Sequence, residues 1–484
     1  MTAKPDKIFD RESEWAALSS YVHSPQALPS LGVVSGRRRQ GKTYLLAALA
    51  EATSGFYFAG DEATEADSLR RFGTALAEFS GSPVQFADWD GALTFLFAQV
   101  PDGSAPLIID EFPLLMRASP ELPSLIQRHL DRSWPAATGP AARLLLCGSA
   151  MSVMGGLLSG QAPLRGRAGL ELVVRPFPYR EAADFWGISD PRLAVLVYSA
   201  VGGTPAYRRQ FVRDDSPADL ADFDSWVCRT LLNPQLPIFR EARYLLAEEV
   251  AIRDPGLYHS VLGAIADGNA TNGGIASYVG RRSAEIAHPL NVLEDCGLVS
   301  KNPDVFRKGR STYRISEPLL TFYQAVMRPR WPVLELGGAE RAWADAAPAF
   351  LSHVVGPGFE QICRSWALLA PGIFRELPAE VGSGVVADRA SKAQIQIDVA
   401  VMAAAKPGTP RRVLSLGEVK WGKRPGIRHL RRLARARDLL GGQGFDTAAT
   451  ILTCYGGSGF EPELEQAAAA DDSILLVDAD RLYA

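Results

Sequence analysis

The stretch Gly36-Arg37-Arg38-Arg39-Gln40-Gly41-Lys42-Thr43 constrains this chain most, because of what flanks it. An apolar, β-branched run, LGVVS at 31–35, leads in, and a helical run, YLLAALAEA, leads out. Glycines at both ends let the backbone curl until its N–H groups face one point, and the helix that follows adds positive potential there. Strand, glycine-bounded loop and helix in this order form a phosphate cradle. Lys42 is placed to neutralise β- and γ-phosphates and the Thr43 hydroxyl to ligate Mg²⁺, which makes ATP with magnesium the expected ligand.

Such a cradle needs an acidic strand end beside it, and LIIDEFP supplies one. Asp110 closes an apolar strand and is placed to hold the metal. Glu111 follows it and can orient and deprotonate an attacking water. The next apolar run, LLLCGS, ends in Ser149, which reads either as a γ-phosphate sensor or as the cap of the helix that follows. Arg165 and Arg167 in PLRGR read either as surface residues or as donors to a neighbouring subunit's phosphates.

At 484 residues the chain exceeds one core. Hydrophobic content of 47% and charged content of 22% are those of a globular protein, and a net charge of −3 excludes a generally basic nucleic-acid coat. No apolar run approaches the ~20 residues of a membrane span, and the polar N-terminus is unlike a signal peptide, so a cytoplasmic protein is expected. Cys147, Cys228, Cys296, Cys363 and Cys454 lie far apart, which suits reduced thiols better than disulfides or zinc.

Strands at 31–35, 56–60, 106–110, 142–149 and 170–177, separated by helical stretches, predict an α/β fold with a parallel sheet. Residues 178–250 read as helical, with breaks at Gly202-Gly203 and Pro234. Three helical patterns (257–266, 273–279, 284–296) then precede two extended pieces, GLVSKN and STYRIS. The Pro/Gly-rich stretch 328–358 reads as a linker. Beyond it come a helix, strands at 394–403 and 412–421, a helix at 427–440, a strand at 448–454, a helix near 461–470 and the strand ILLVD.

Together FDRESEW, GRRRQGKT, LIIDEFP, LLLCGSAMSVM, PLRGR and GGTPAY resemble the prokaryotic, especially archaeal-type, AAA+ ATPase family. The resemblance implies a P-loop AAA+ core over 1–175, a helical lid over 176–252 and a winged helix over 253–330. It also implies that Gly202 to Pro205 lie near the nucleotide base, so Pro205 joins Gly36, Gly41, Lys42, Thr43, Asp110 and Ser149 as a nucleotide-binding candidate. Asp10 stands where the family commonly has a small residue.

In the winged-helix reading, the third helix begins at Ser283 and the wing carries Arg307, Lys308 and Arg310. Arg281, Arg282 and these wing cations suit phosphates, while Glu285, Glu294 and Asp295 oppose that use.

The tail over 345–484 carries a second constellation. Asp398 lies mid-strand in QIDV, and Glu418 and Lys420 lie two apart on the next strand, sharing a face. Carboxylates from adjacent strands can chelate Mg²⁺ while the lysine polarises a water or a scissile phosphate. With Glu360 in the preceding helix, the set resembles the restriction-endonuclease-like PD-(D/E)xK fold. Three solvated charges on ordinary strands are the alternative, but Asp398 and Glu418 sit in apolar runs where an unpaired carboxylate is costly. From Lys406 to Asp438 there are eleven Lys/Arg against two acids, with Arg428, Arg431, Arg432 and Arg435 at helical spacing. That suits a polyanion and makes DNA an expected partner of residues 406–437.

Two whole-protein readings follow: an ATP-driven, DNA-associated enzyme with a nuclease-like tail, or a nucleotide-dependent switch that binds proteins. A homo-oligomer is an expected assembly, and the switch reading adds a nucleotide-dependent change in oligomeric state. A small-molecule kinase is disfavoured because most of the chain lies beyond the P-loop domain.

Overall fold

The computed structural model describes residues 2–25, 30–100, 105–131, 142–247, 254–370, 372–374 and 376–484. They fall into two compact units. One is the chain up to Pro176 with Thr204–Ala206; the other is Phe177–Gly203 and the remainder from Tyr207.

The first unit is a five-stranded parallel sheet, as the alternating pattern requires. Its strands are β1 (Ser30–Ser35), β2 (Phe56–Ala59), β3 (Pro106–Asp110), β4 (Arg143–Gly148) and β5 (Ala168–Val173), in the order β2-β3-β4-β1-β5. Every residue of β1, β3 and β4 is buried, as in a sheet covered on both faces. The period-two alternation of strand side chains splits their residues between two cores. Val33, Leu107, Ile109, Leu144 and Leu146 join one with Phe72, Trp89 and Leu93, and Val34, Ile108, Leu145 and Cys147 join the other with Leu18, Leu45 and Leu49. From β1 the chain crosses β4 and β3 to reach β2, while β5 lies on the far side of β1. The loop after β1 therefore opens at a topological switch point, where α/β sheets bind ligands.

The second unit begins with helices Tyr179–Trp186 and Pro191–Val201 and continues through Phe223–Arg229 and Ile238–Ala247. Three helices, Pro255–Ala266, Asn272–Val279 and Ser283–Asp295, precede an antiparallel hairpin of β6 (Val299–Pro303) and β7 (Ser311–Ile315). A second five-stranded sheet has the order β12-β11-β10-β9-β8. It is built of β8 (Glu380–Asp388), β9 (Ala393–Met402), β10 (Val413–Lys420), β11 (Ile451–Gly456) and β12 (Ile474–Asp478). β8, β9 and β10 are antiparallel neighbours, while β10, β11 and β12 run parallel. The helix Ile427–Gly442 makes the β10-to-β11 crossover and buries Leu430, Leu433, Ala436 and Leu440 on the sheet.

Two elements differ from the sequence expectation. Residues 328–358 are helical rather than a linker: Trp331–Glu335, Ala339–Ala349 and a π segment Phe350–Val355 run into Gly356–Leu369. Pro332 occupies a first-turn position, where the missing N–H costs nothing, and Pro357 directly follows the π segment in continuous helical backbone. Trp343 and Phe350 pack against Phe223 and Phe322. The strand β8 does not show in the sequence pattern, because Gly382 and Gly384 interrupt it. Both glycines are required by the hairpin tip. A Cβ on Gly382 would lie 2.8 Å from Val305, and one on Gly384 would lie 2.4 Å from the Phe306 ring.

That tip is seated on the second sheet. Val305 is buried in the sheet's core, its N–H donates to Ser383 O (3.2 Å), and Asp304 Oδ2 accepts the Val385 N–H (3.1 Å). Arg411 Nη1 donates to Val305 O at 3.0 Å. The helix Tyr179–Trp186 is tied to the short helix that follows β12, Ala479–Tyr483: Tyr179 Oη donates to Leu482 O (2.7 Å) and Arg180 Nε to the same oxygen (2.9 Å).

Candidate functional site

In the first unit the loop between β1 and the helix Lys42–Thr53 is shaped by its backbone. Gly36 has φ 151°, and a Cβ there would lie 2.4 Å from Val174 O. Gly41 (φ 87°) caps the helix in the left-handed region, where a Cβ is disfavoured. Arg39 adopts φ 68° between them. The loop is buttressed by Arg11, whose Nη2 donates to Gln40 O (3.3 Å) and Arg175 O (2.7 Å) while Nη1 pairs with Glu14 (2.7 Å).

Lys42 and Asp110 are both buried. The Lys42 ammonium donates to Arg37 O at 2.9 Å. Burial lowers its pKa, against the pull of Cys147, Glu111 and Asp110 nearby. Thr43 Oγ1 donates to Asp110 Oδ2 at 2.7 Å, joining the helix start to the end of β3. Tyr57, on the neighbouring β2, donates to the same oxygen at 2.8 Å. Burial, and then Asp110, hold the Tyr57 phenol protonated. Glu111 has φ 48° and starts the helix Phe112–Ala118. Ser149 Oγ donates to Glu111 Oε2 (3.2 Å) and accepts from Arg38 Nε (3.4 Å). Ser149 does not cap the next helix, whose N-cap is Ala150 without a side-chain bond.

The structure thus brings together Gly36, Gly41, Lys42, Thr43, Asp110, Glu111 and Ser149 at the carboxyl ends of β1, β3 and β4. Their donor set is hard oxygen from Thr43 and Asp110 beside an ammonium and a run of helix-start N–H groups, which fits a magnesium–polyphosphate ligand. Pro205 belongs to the short segment packed with this unit and is half-buried. Arg167 is engaged with Asp131 (2.7 Å), and Arg165 donates to Gly160 O (2.6 Å). Sequence reasoning does not single out Tyr57 or Arg11 as site residues. Tyr57 has one signal, a phenol in the otherwise apolar run FYFA, whereas the reach of Arg11 to Gln40 and Arg175 has none.

In the second unit, Asp398 on β9 and Glu418 on β10 are buried side by side. Val419 N–H donates to Asp398 Oδ2 (3.0 Å) and Gln396 Nε2 to Oδ1 (3.3 Å). Burial, then the charges of Glu360 and Glu418, push the Asp398 carboxyl up to about 7. Glu418 is held between Lys420 Nζ (2.7 Å) and Arg432 Nη2, which reaches it from the helix Ile427–Gly442. Glu360 pairs with Arg364 (2.7 Å), whose Nε donates to Asp398 O (2.8 Å). Among the described residues no three His, Cys, Asp or Glu converge as a ready-made metal cluster. Asp398 and Glu418 remain a two-carboxylate set, and magnesium is commonly held by one or two carboxylates plus water and substrate phosphate.

On the same helix Arg428 and Arg431 are exposed, and Arg435 pairs with Asp388 (3.1 Å). At the hairpin tip Lys308 and Arg310 are exposed and Arg307 is half-buried. The five cysteines are free thiols, four of them buried. No described helix is long and apolar enough to cross a membrane.

No family model matches the chain. An uncharacterized protein of Methanocaldococcus jannaschii is 27% identical over 367 residues, covering 74% of this chain and 77% of the relative. Among solved structures, the Walker-type ATPase PABY2304 of Pyrococcus abyssi is similar with a TM-score of 0.49 and 19% identity, over 67% of this chain and 97% of that one. The ORC2 protein of Aeropyrum pernix in its ADPNP–ADP complexes gives 0.40 and 16%, over 71% and 97%.

Proposed function

We propose that this chain binds ATP with magnesium on its P-loop unit, hydrolyses it, and couples that reaction to DNA held by the second unit. The observation that carries the reading is the Thr43–Asp110 hydrogen bond beside buried Lys42, at the switch point of a parallel sheet. Magnesium held by Thr43 and Asp110 would neutralise phosphate charge. The chain's own groups supply the rest. Loop N–H groups and Lys42 bind the β- and γ-phosphates, Ser149 and Arg38 stand beside the terminal phosphate, and Glu111 orients a water and accepts its proton. Pro205 is assigned to the edge of the nucleotide base. The strand order and the motif positions support an AAA+ core over 1–175 with a lid over 176–252, and the three helices with their hairpin support a winged helix over 253–330.

For residues 345–484 the order of helix, three antiparallel strands, crossover helix and parallel strand supports a PD-(D/E)xK nuclease-like domain. In this reading Asp398 and Glu418 would hold magnesium, whose role is to polarise a scissile phosphate, and Lys420 orients the attacking water. The buried adjacency of Asp398 and Glu418 favours this over a protein-binding switch, because binding a protein gives no reason to bury two carboxylates together. DNA binding is assigned to Lys423, Arg424, Arg428, Arg431 and Arg432 within 406–437. The wing has a smaller part, since Val305 at its tip is buried in the chain's own core.

The test is equilibrium binding of a fluorescent ATP analogue with magnesium, alongside phosphate release with and without duplex DNA. Wild type should bind and turn over, faster with DNA. Lys42→Ala with Asp110→Ala should lose binding. Undiminished affinity in that double variant refutes the ATP site, and DNA-indifferent turnover refutes the coupling.

A further inference from the structure

Glu418 is completely shielded from solvent: Lys420 Nζ lies 2.7 Å from Oε1 as an ion pair without hydrogen-bond geometry, and Arg432 Nη2 donates to Oε2. Lys420 belongs to the same strand, two residues on, so its place is fixed by β10. Arg432 comes from another element, and its side chain is 44% exposed. Only its tip is committed; the stem lies on the solvent face of the helix, beside Arg428 and Arg431. The neighbouring Arg435 is spoken for by a different acid, Asp388. Arg432 therefore supplies, on Glu418 Oε2, the positive charge that a divalent cation held by Asp398 and Glu418 would bring. Two cations cannot share that oxygen at bonding distance without strong repulsion.

We propose that Arg432 is a latch that competes with a divalent cation for Glu418 and leaves it for a backbone phosphate when a polynucleotide lies along the helix Ile427–Gly442. This rests on the nuclease-like reading of Asp398 and Glu418 and deepens it: cation binding becomes conditional on substrate. With the polyanion present, the guanidinium exchanges a buried carboxylate for a phosphate, for which its planar fork is well matched. Glu418 is then free for the metal. Without it, the guanidinium returns and the pair is closed by the chain itself.

The test is Mn²⁺ titration of the full chain without nucleotide, followed by electron paramagnetic resonance, in wild type, Arg432→Gln, Arg432→Lys and Glu418→Gln, each with and without a duplex oligonucleotide. The Mn²⁺ bound by wild type but not by Glu418→Gln reports this site and excludes Mn²⁺ held at Thr43 and Asp110. Arg432→Gln should bind that increment about 10-fold tighter without DNA, within the usual range of coupling between sites. DNA should tighten wild type by a similar factor and leave Arg432→Gln nearly unchanged, with Arg432→Lys in between. If Arg432→Gln binds no tighter than wild type, the latch is wrong while the metal site stands. If no Glu418-dependent Mn²⁺ appears in any protein, even with DNA, the metal reading fails and the latch with it.

Discussion

Ser149 Oγ donates to Glu111 Oε2 at 3.2 Å, so the hydroxyl at the end of β4 engages the glutamate at the end of β3. Both strands end on the side of the sheet where Lys42 and Thr43 begin their helix. The hydrogen bond fixes the direction of the carboxylate proposed to take a proton from water, and it links that carboxylate to Arg38 through one hydroxyl. The two residues are therefore expected to fail differently. Glu111→Gln keeps the size of the side chain and removes its basicity, so ATP affinity should stay while turnover drops by about 10²–10⁴, the usual scale of general-base catalysis. Ser149→Ala removes one hydrogen bond of about 1 kcal/mol and should lower turnover by roughly 5- to 10-fold, with ATP affinity again unchanged. Parallel measurement of single-turnover rate and nucleotide Kd decides it. A loss of affinity in Glu111→Gln would show that the glutamate binds rather than reacts.

The glycine-bounded loop at 36–43 is legible in the sequence because its determinants are local: two glycines, a lysine and a threonine within eight consecutive positions define the turn whatever surrounds them. The pairing of Asp398 with Glu418 is legible for a related reason, since consecutive antiparallel strands place such residues side by side. What stays hidden depends on distant partners. Tyr57 reaches Asp110 only because β2 pairs with β3, and Arg11 reaches Gln40 and Arg175 only once the sheet is built. Gly382 and Gly384 look like breaks in a strand, yet they make room for Val305 and Phe306. Pro332 looks like a linker residue because a proline that starts a helix and one that prevents it are the same letter.

The seated hairpin tip separates the two basic regions of the second unit. Val305 and Phe306 are packed into the second sheet, and Asp304 accepts N–H donors from Val385, Phe306 and Arg307. The tip cations are thus anchored at the rim of the second sheet. Arg428 and Arg431, by contrast, lie exposed on the Ile427–Gly442 helix. Neutralising Arg428 and Arg431 together should weaken duplex binding and reduce the slope of log affinity against log salt by about 2, close to one for each phosphate no longer neutralised. Neutralising Arg307, Lys308 and Arg310 together should change that slope by less than about 1. A salt series by fluorescence anisotropy with the double and the triple variant distinguishes them. The reverse ranking would place DNA on the hairpin and away from the helix.

Acid sensitivity should enter through His259, on the helix Pro255–Ala266. Burial, then the charges of Arg328 and Arg243, lower its pKa from 6.5 to about 4. Its Nδ1 lies 3.2 Å from Gln324 Nε2, an amide donor, which requires the neutral ring with that nitrogen unprotonated. The folded chain therefore binds this proton less readily than the unfolded chain does. Stability from the neutral ring is complete above about pH 6.5 and is lost as pH falls from there toward about 4, because the unfolded state takes up the proton first. His259→Asn keeps an acceptor and removes the titration. Thermal melts of the full chain from about pH 7.5 to about pH 4.5 should show wild type losing more Tm than His259→Asn across that interval, with the two curves parallel above about pH 7. Equal slopes throughout would show that His259 titrates as an ordinary histidine and that Arg328 and Arg243 do not act on it.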